Sequence, residues 1–538
     1  MPWSEDWAWQ TPIGSQQVTG LMVDALRAGV TTYSTFDKEL PYGDGTVPLV
    51  PVAKPFEVPQ LVPYGGSPPM LMYVMAHSPG NSPIMWKRQM YQDIAHGVKI
   101  FDLFNFESSI SGYTCDYVDP DFGSYEMVRQ SLNELGMFDD IVWDGVAQAA
   151  GAKVAIMYSD SADAWMSPEV TSQGSAKRTL YTMLKHMGLP TDIVTEDDCT
   201  AGHLNHYGAL YVVDAQISEA AVTAIGAWAT AGGQVFMTAG AGMLNEYNLT
   251  NAAMGSLLPV TQGGIWTGTV DTGRNATIFY AKQDLAYAEK LDEVTVLAQP
   301  DSDAYSLDVF GEKSIFTFSP KTTDQAHVLG VFSDDTPAVI NISLGTHGGG
   351  ITYAGFHLGL SYFHPAMPIR PVDRTPSLKS LTNFVPSDFN TNAKLLADVA
   401  LRAPPTADAR PVLCDNPLVE VGFVTRTAAD GTWNGTALPL IDWSATTGNS
   451  SGNGYTRVNV TLNPLPESSQ HPAAIAFTTA TLASCGKAAP SACRGVIPPS
   501  CDVAPCNVSR PGYLRLNVSE NNMSFSIDLN IADALILR

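Results

Sequence analysis

The chain has 538 residues, 45% of them hydrophobic and 15% charged. At ~100–200 residues per domain, that length implies about three or four domains, and so much apolar content excludes wholesale disorder. Lys and Arg number 29 against 53 Asp and Glu, a formal net charge of −24; a surface this acidic repels phosphate backbones and anionic lipid heads, which argues against nucleic acid and membranes as partners and leaves neutral substrates open.

The chain opens Met1-Pro2-Trp3-Ser4-Glu5-Asp6-Trp7-Ala8-Trp9, with neither the basic n-region nor the apolar h-region of a signal peptide. Residues 16–28 have helical spacing and stop at Gly29, residues 30–35 are β-branched and aromatic, and residues 41–69 form a Pro/Gly-rich loop. Residues 69–77 (PMLMYVMAH) and 98–106 (VKIFDLFNF) read as strands buried on both faces, with a helix over 82–97 between them and another over 124–150. Strand, helix, strand at this spacing predicts parallel βα units. Residues 152–260 repeat the pattern, with strands at 153–159, 192–195, 209–214 and 234–238 and helices at 176–187 and 218–231. This predicts an open, doubly wound sheet of flavodoxin-like type. Residues 265–365 are strand-rich and read as an extension of that sheet. Residues 366–415 are a Pro-rich linker with a helix near 390–402, and from residue 419 short alternating strands predict an all-β sandwich. No apolar run approaches the ~18 residues of a membrane helix.

Three places could carry chemistry. Glu5-Asp6-Trp7-Ala8-Trp9 sets two carboxylates beside two indoles; carboxylates act as acid and base or bind hydroxyls, and indole faces stack on sugar rings. His77-Ser78-Pro79-Gly80-Asn81 follows one buried strand. Asn105-Phe106-Glu107 follows another, where a carboxylate closing an apolar strand needs a reason. A solvated acidic terminus, or a loop or cap residue, is the plain alternative for each. The strand at 234–238 runs into Ala239-Gly240-Ala241-Gly242, without the Ser or Cys that a nucleophile elbow requires, so the sheet domain is expected not to be catalytic. His203-x-x-His206 lacks a Glu at matching spacing and reads as surface, and His347, His357 and His364 read as ordinary residues of strands and turns.

Nine Asn-x-Ser/Thr acceptors occur, at Asn248, Asn275, Asn341, Asn434, Asn449, Asn459, Asn507, Asn517 and Asn522. Cys485, Cys493, Cys501 and Cys506 lie close together among Gly, Pro and Ser, and read as one or two disulfides stapling a loop; four cysteines allow three pairings, and a zinc site is disfavoured by the absence of a C-x-x-C knuckle. Cys115, Cys199 and Cys414 are scattered, each a free thiol or half of a bridge. Acceptors and disulfides together point to the secretory route or an endomembrane lumen. The expected reconciliation with the missing leader is that Met1 is an internal start.

The order of parts resembles glycoside hydrolase family 42, the β-galactosidases. Ala95-His96-Gly97-Val98-Lys99-Ile100-Phe101-Asp102 resembles the last barrel strand, and residues 153–165 (KVAIMYSDSADAW) the first strand of the central α/β domain. Val331-Phe332-Ser333-Asp334-Asp335-Thr336-Pro337-Ala338-Val339 and Tyr353-Ala354-Gly355-Phe356 resemble that domain's closing strands. The resemblance implies an α/β multidomain chain in four segments. These are the C-terminal half of a (β/α)8 barrel (1–150), an amidotransferase-like α/β domain that builds a trimer in the family (151–365), the linker (366–415) and a C-terminal β-sandwich (416–538). It also implies a saccharide or glycan substrate and cofactor-free carboxylate chemistry. The family places its acid/base Glu after barrel strand four and its nucleophile Glu after strand seven. Counting back from 98–106 as strand eight, strand seven ends Met75-Ala76-His77 with no Glu, so that pair has no counterpart here. Glu5 and Glu107 are therefore the expected catalytic pair of a displaced site, with Asp6, Trp7, Trp9, His77, Asn81 and Asn105 around the sugar. A non-catalytic carbohydrate-binding or assembly protein of the same architecture is the alternative.

Overall fold

The computed structural model describes residues 70–75, 83–104, 123–147, 153–165, 172–258, 260–267, 290–300, 302–318, 326–362, 390–401, 410, 412–416, 419–428, 433–442, 456–462, 479–483, 495–496, 514–519, 522–529 and 532–537.

The first described unit is β1 (Met70–Met75), α1 (Pro83–Ala95) and β2 (Val98–Phe104), with the two strands parallel and Met75 opposite Phe104. Proline at the first helical position loses no hydrogen bond there, and Gly97, at φ 101, takes the left-handed conformation that ends the helix. The single helix expected over 124–150 is instead α2 (Gly123–Leu135) and α3 (Asp139–Asp144), followed by a short strand β3 (Val146–Ala147). The break at 136–138 turns Phe138 and Ile141 inward, both fully buried in a core shared with the C-terminal strands; tertiary burial here overrides helical propensity.

The central unit runs β4 (Val154–Tyr158), α4 (Asp160–Trp165), α5 (Ser172–His186), β5 (Thr191–Thr195), α6 (Glu196–Thr200), β6 (Ala209–Val212), α7 (Glu219–Thr230), β7 (Gln234–Met237) and α8 (Ala252–Leu257). Then come β8 (Val260–Thr267), β9 (Asp292–Val296), β10 (Tyr305–Val309), β11 (Glu312–Phe318), β12 (Ala326–Phe332), β13 (Pro337–Leu344), β14 (Gly349–Ala354) and α9 (Leu358–Tyr362). One nine-stranded sheet results, in the order β10-β9-β12-β13-β14-β7-β6-β4-β5. Strands β14, β7, β6, β4 and β5 are parallel and the rest antiparallel, so residues 292–354 do extend the sheet, while β8 and β11 form a separate antiparallel pair. Strands β4, β5, β6 and β14 are buried at every position, with cores on both faces; β4 and β6 are unbroken apolar runs, while β5 and β14 also bury Thr191, Asp192, Thr195 and Thr352. The helix expected in the linker is α10 (Asn392–Ala397). It packs Leu396 and Ala397 into the sheet's core, and its Ala397 carbonyl accepts the Tyr211 hydroxyl at 2.9 Å.

The last unit holds β15 (Val412–Cys414), β16 (Val419–Val421), β17 (Val424–Thr427), β18 (Trp433–Asp442), β19 (Thr456–Leu462), β20 (Thr479–Leu482), β21 (Gly495–Val496), β22 (Leu514–Ser519), β23 (Asn522–Leu529) and β24 (Ala532–Leu537). A four-stranded sheet, β15-β19-β23-β22, faces a seven-stranded one that contains β21-β20-β24-β18-β17-β3 with β16 beside β18. Val458, Val460, Phe525 and Ile527 from the first meet Leu438, Leu440, Leu535 and Leu537 from the second, which makes the sandwich core. Strand β3 precedes residue 150 in the chain yet pairs with β17, and β15 pairs with β19, so this sheet pair draws strands from before residue 416.

Helix α1 joins the three parts. Trp86, Met90, Tyr91 and Ile94 pack with Ala437, Ile441, Ala534 and Ile536 of the sandwich. Just after it, His96 is fully buried: Nε2 lies 2.7 Å from Glu420 Oε1 on β16 and Nδ1 lies 3.0 Å from the Tyr181 hydroxyl on α5. Gln92 donates to the other Glu420 oxygen at 3.0 Å.

Candidate functional site

Because β1 and β2 are parallel and end in register, the chain leaves both at one edge. The expected site residues His77, Asn81, Asn105 and Glu107 follow directly, and they lie outside the described residues, as do Glu5, Asp6, Trp7 and Trp9. What is described is the scaffold behind that edge: two largely apolar strands and a helix whose residues 86–88 and 90–95 are buried. Lys87 pairs with Glu134 of α2 at 2.7 Å, and Tyr91 donates to the same carboxylate at 2.7 Å. Burial, the Glu134 and Asp533 charges and that hydrogen bond hold the Tyr91 hydroxyl well above the usual phenol range. Burial likewise lowers the Arg88 guanidinium to about 10, against the pull of Asp442. Asp93 is fully buried, neither of its oxygens has a hydrogen-bond partner among the described residues, and burial raises its carboxyl well above the usual range.

The central sheet offers a second place to look, since ligands of open α/β sheets bind at the carboxyl edge where the strand order reverses. That point lies between β4 and β6. Lys177 of α5 pairs with Asp214 at 2.5 Å and sits 4.4 Å over the Tyr158 ring, and Asp214 also accepts the Ser159 N–H at 2.9 Å. Ser159 Oγ lies 2.5 Å from Glu196 Oε1 and 2.6 Å from the Gln216 carbonyl. Burial pushes the Glu196 carboxyl up, but hydrogen bonds from Ser159, Ser218 and Ser161 outweigh it and hold the group below its ordinary value. Lys177, Asp214, Ser159 and Glu196 are all buried. Each finds its partners within the protein, so the cluster ties strand ends together and leaves no group facing a substrate.

One arrangement was not visible in the sequence. Thr238 closes β7, at the position where a nucleophile would stand, and its hydroxyl lies 3.3 Å from His357 Nδ1, while His357 Nε2 lies 3.3 Å from Glu312 on β11. A hydroxyl, imidazole and carboxylate in line resemble the parts of a hydrolase triad. Here Thr238 is 1% exposed and His357 0%, so no acyl group reaches the oxygen. His357, expected to be an ordinary residue of a turn, is thus a buried polar link between three elements. No local pattern announces it, because Glu312, Thr238 and His357 are far apart in the chain.

His203 and His206 lie in a short 3-10 turn, with His203 partly exposed against Asp198 at 3.0 Å and His206 exposed, and among the described residues no cluster of His, Cys, Asp and Glu forms a metal site. Cys199 is a buried free thiol and Cys414 a half-buried one; Cys115, Cys485, Cys493, Cys501 and Cys506 lie outside the described residues. So do the acceptors Asn275, Asn449 and Asn507, whereas Asn248 is in a loop and Asn341, Asn434, Asn459, Asn517 and Asn522 are on strands. A shallow groove of about 670 Å3 between α7 and α8 is lined by Thr223, Ala224, Ala253, Ser256 and the single carboxylate Glu219, which already accepts from Asn245 and from the Ala252 N–H.

Among known proteins, no family model and no curated sequence matches the chain. Solved structures do. A catalytic mutant of Gan42B, a GH42 β-galactosidase from G. stearothermophilus, aligns with a TM-score of 0.51 at 14% identity, over 98% of this chain and 57% of that one. The fold is GH42-like. The β-galactosidase from Rahnella sp. R3 aligns with a TM-score of 0.50 at 16% identity, over 86% of this chain and 56% of that one. The chain therefore spans somewhat more than half the length of these GH42 structures and shares their architecture at low identity. No described helix is long and apolar enough to cross a membrane.

Proposed function

We propose that this GH42-like chain is carbohydrate-active, a divergent glycoside hydrolase that cleaves a glycosidic bond with two carboxyl groups. The observation that carries the reading is the parallel β1–α1–β2 unit, whose strands end together and run into His77 to Asn81 and Asn105 to Glu107. Barrel enzymes gather their catalytic groups from the segments after their strands. Glu5 and Glu107 share the chemistry: one protonates the glycosidic oxygen as the bond breaks, the other attacks the anomeric carbon or activates water. Trp7 and Trp9 stack on sugar rings, and Asp6, His77, Asn81 and Asn105 bind hydroxyls. The chemistry needs no cofactor.

Segments 1–150, 151–365, 366–415 and 416–538 are the half-barrel, the amidotransferase-like domain, the linker and the sandwich. The protein follows the secretory route, carries glycans, bridges cysteines among Cys485, Cys493, Cys501 and Cys506, and assembles as a homotrimer through 151–365. A second reading, a binding or assembly protein without catalysis, is favoured by one fact: β1 is followed by Ala76-His77, where the resemblance asks for Glu. A panel of chromogenic glycosides and a glycan-binding array, run on the full-length gene product, separates the two. Hydrolysis that Glu5→Gln and Glu107→Gln each abolish supports the enzyme. Binding without turnover supports the alternative, and turnover unchanged in both variants rejects this pair.

A further inference from the structure

The loop 244–250 between β7 and α8 is organised by one side chain. Asn245 Oδ1 accepts the N–H groups of Tyr247 and Leu249, both at 3.0 Å, and the Asn245 N–H donates to the Leu249 carbonyl at 2.7 Å. This holds Asn248 in the left-handed region, at φ 58, which asparagine tolerates better than most residues. Tyr247 and Leu249 beside it are the most exposed large apolar side chains among the described residues, at 69% and 64%, and Trp165 is 51% exposed. The Trp165 indole N–H donates to the Glu246 carbonyl at 2.9 Å, which fixes its ring against the same loop. This patch of exposed apolar side chains at one loop of so acidic a chain calls for an occupant.

The patch contains its own candidate. Asn248-Leu249-Thr250 is an N-glycan acceptor. Asn248 is exposed; its Oδ1 accepts from Gln216 at 2.8 Å, and its Nδ2 makes no hydrogen bond with the described residues. We propose that Asn248 carries an N-linked glycan whose first sugar covers Trp165 and Tyr247, an inference that rests on the secretory-route reading above. The donor is a polyprenyl-pyrophosphate-linked oligosaccharide. The Asn248 amide nitrogen forms a bond to the sugar C1 as the C1–O bond to pyrophosphate breaks; the amide gives up one proton and the pyrophosphate leaves with the electron pair. The C–H face of the sugar then packs on the indole and phenol rings, as apolar faces do on aromatic surfaces.

The same geometry sorts the other described acceptors. Asn341 lies in β13 with Nδ2 donating to Thr352 on the neighbouring strand at 2.9 Å, and Asn459 lies in β19 with Nδ2 donating to Asp415 at 2.6 Å. A glycan on either replaces one of the two N–H groups of an amide already held against its neighbour. Asn434 is exposed at an irregularity of β18 and stays open to modification.

The test is to make the full chain behind a cleavable leader in a eukaryotic secretory host and to read its glycopeptides by mass spectrometry. Thr250→Ala runs in parallel; it deletes the acceptor signal but keeps Asn248 and its bond to Gln216. The expected result is sugar on Asn248, none on Asn341 or Asn459, and a higher Tm for the glycosylated chain than for Thr250→Ala. Trp165→Ala, an exposed change that leaves the core intact, is expected to abolish that Tm difference without lowering occupancy. Four results overturn the proposal alone: Asn248 empty while other acceptors are filled, sugar on Asn341 or Asn459, no Tm difference, or a Tm difference that survives Trp165→Ala. A chain without sugar at any acceptor overturns it together with the secretory-route reading.

Discussion

Glu420→Ala probes how the three parts are held together. The carboxylate accepts from Gln92 at 3.0 Å and lies 2.7 Å from His96 Nε2, and His96 in turn meets Tyr181 at 3.0 Å. Glu420 is 3% exposed, Gln92 1% and His96 0%, so water does not replace the lost partner. Breaking a buried pair by deleting one member costs roughly 3–5 kcal/mol, because the other member stays buried and unpaired. Glu420→Gln keeps the shape and one acceptor oxygen, so its expected loss is smaller, about 1–2 kcal/mol, the scale of one charge-assisted hydrogen bond. A double-mutant cycle with His96→Ala is expected to show coupling above about 1 kcal/mol. Urea denaturation followed by tryptophan fluorescence measures all of these, with Trp86 of α1 as a buried reporter. The reasoning fails if Glu420→Ala lowers stability by less than about 0.5 kcal/mol, the scale of an ordinary surface change, or if Trp86 reports a separate transition in the unmodified chain.

Other outcomes follow from single side chains. Asp93→Leu is expected to stabilise the protein by about 1–3 kcal/mol, since a buried carboxyl without partners carries its full desolvation cost. The raised Asp93 carboxyl favours the fold fully below about pH 4 and progressively less as pH rises toward its folded value; Asp93→Asn flattens that dependence in urea midpoints taken across the range. Lys394 donates to the His186 carbonyl at 2.9 Å, and burial and the nearby Arg410 lower its ammonium to about 7. From there up to the unfolded value of ~10.4 the unfolded chain binds more protons, so stability rises with pH, and Lys394→Met removes the rise. Gly359→Ala places a methyl 2.3 Å from the Leu180 backbone nitrogen where α9 crosses α5. It is expected to cost about 3 kcal/mol or more, read as a lowered Tm, because backbone cannot step aside as a side chain can.

How far the chain could be read ahead of its structure depended on the range of the interactions. Strands β1, β4 and β6 are unbroken apolar runs, β7 is one after Gln234, and β2 is interrupted only by Lys99 and Asp102, a composition that suits strands inside a core. The break in helix 124–150 was hidden, because what decides it is the burial of Phe138 and Ile141 against strands nearly 300 residues later. The same holds for β3, which pairs with Val424 and Thr425, and for His96, whose partner is 324 residues away. Thr238, His357 and Glu312 carry no local signal for the same reason. For the candidate site, the strands β1 and β2 were legible as apolar runs, while the polar residues that follow them lie outside the described residues. Whether Glu5 meets Glu107 was not legible, since two residues 102 apart are brought together only by strand order around a barrel.

The most direct test of the central claim is kcat/KM on a chromogenic β-galactoside for the full-length protein and for Glu107→Gln. Positioned acid–base catalysis contributes about 10²- to 10⁴-fold, so the account expects a loss of at least about a hundredfold with the fold and Tm intact. A Glu107→Gln enzyme as fast as the unmodified protein would contradict it.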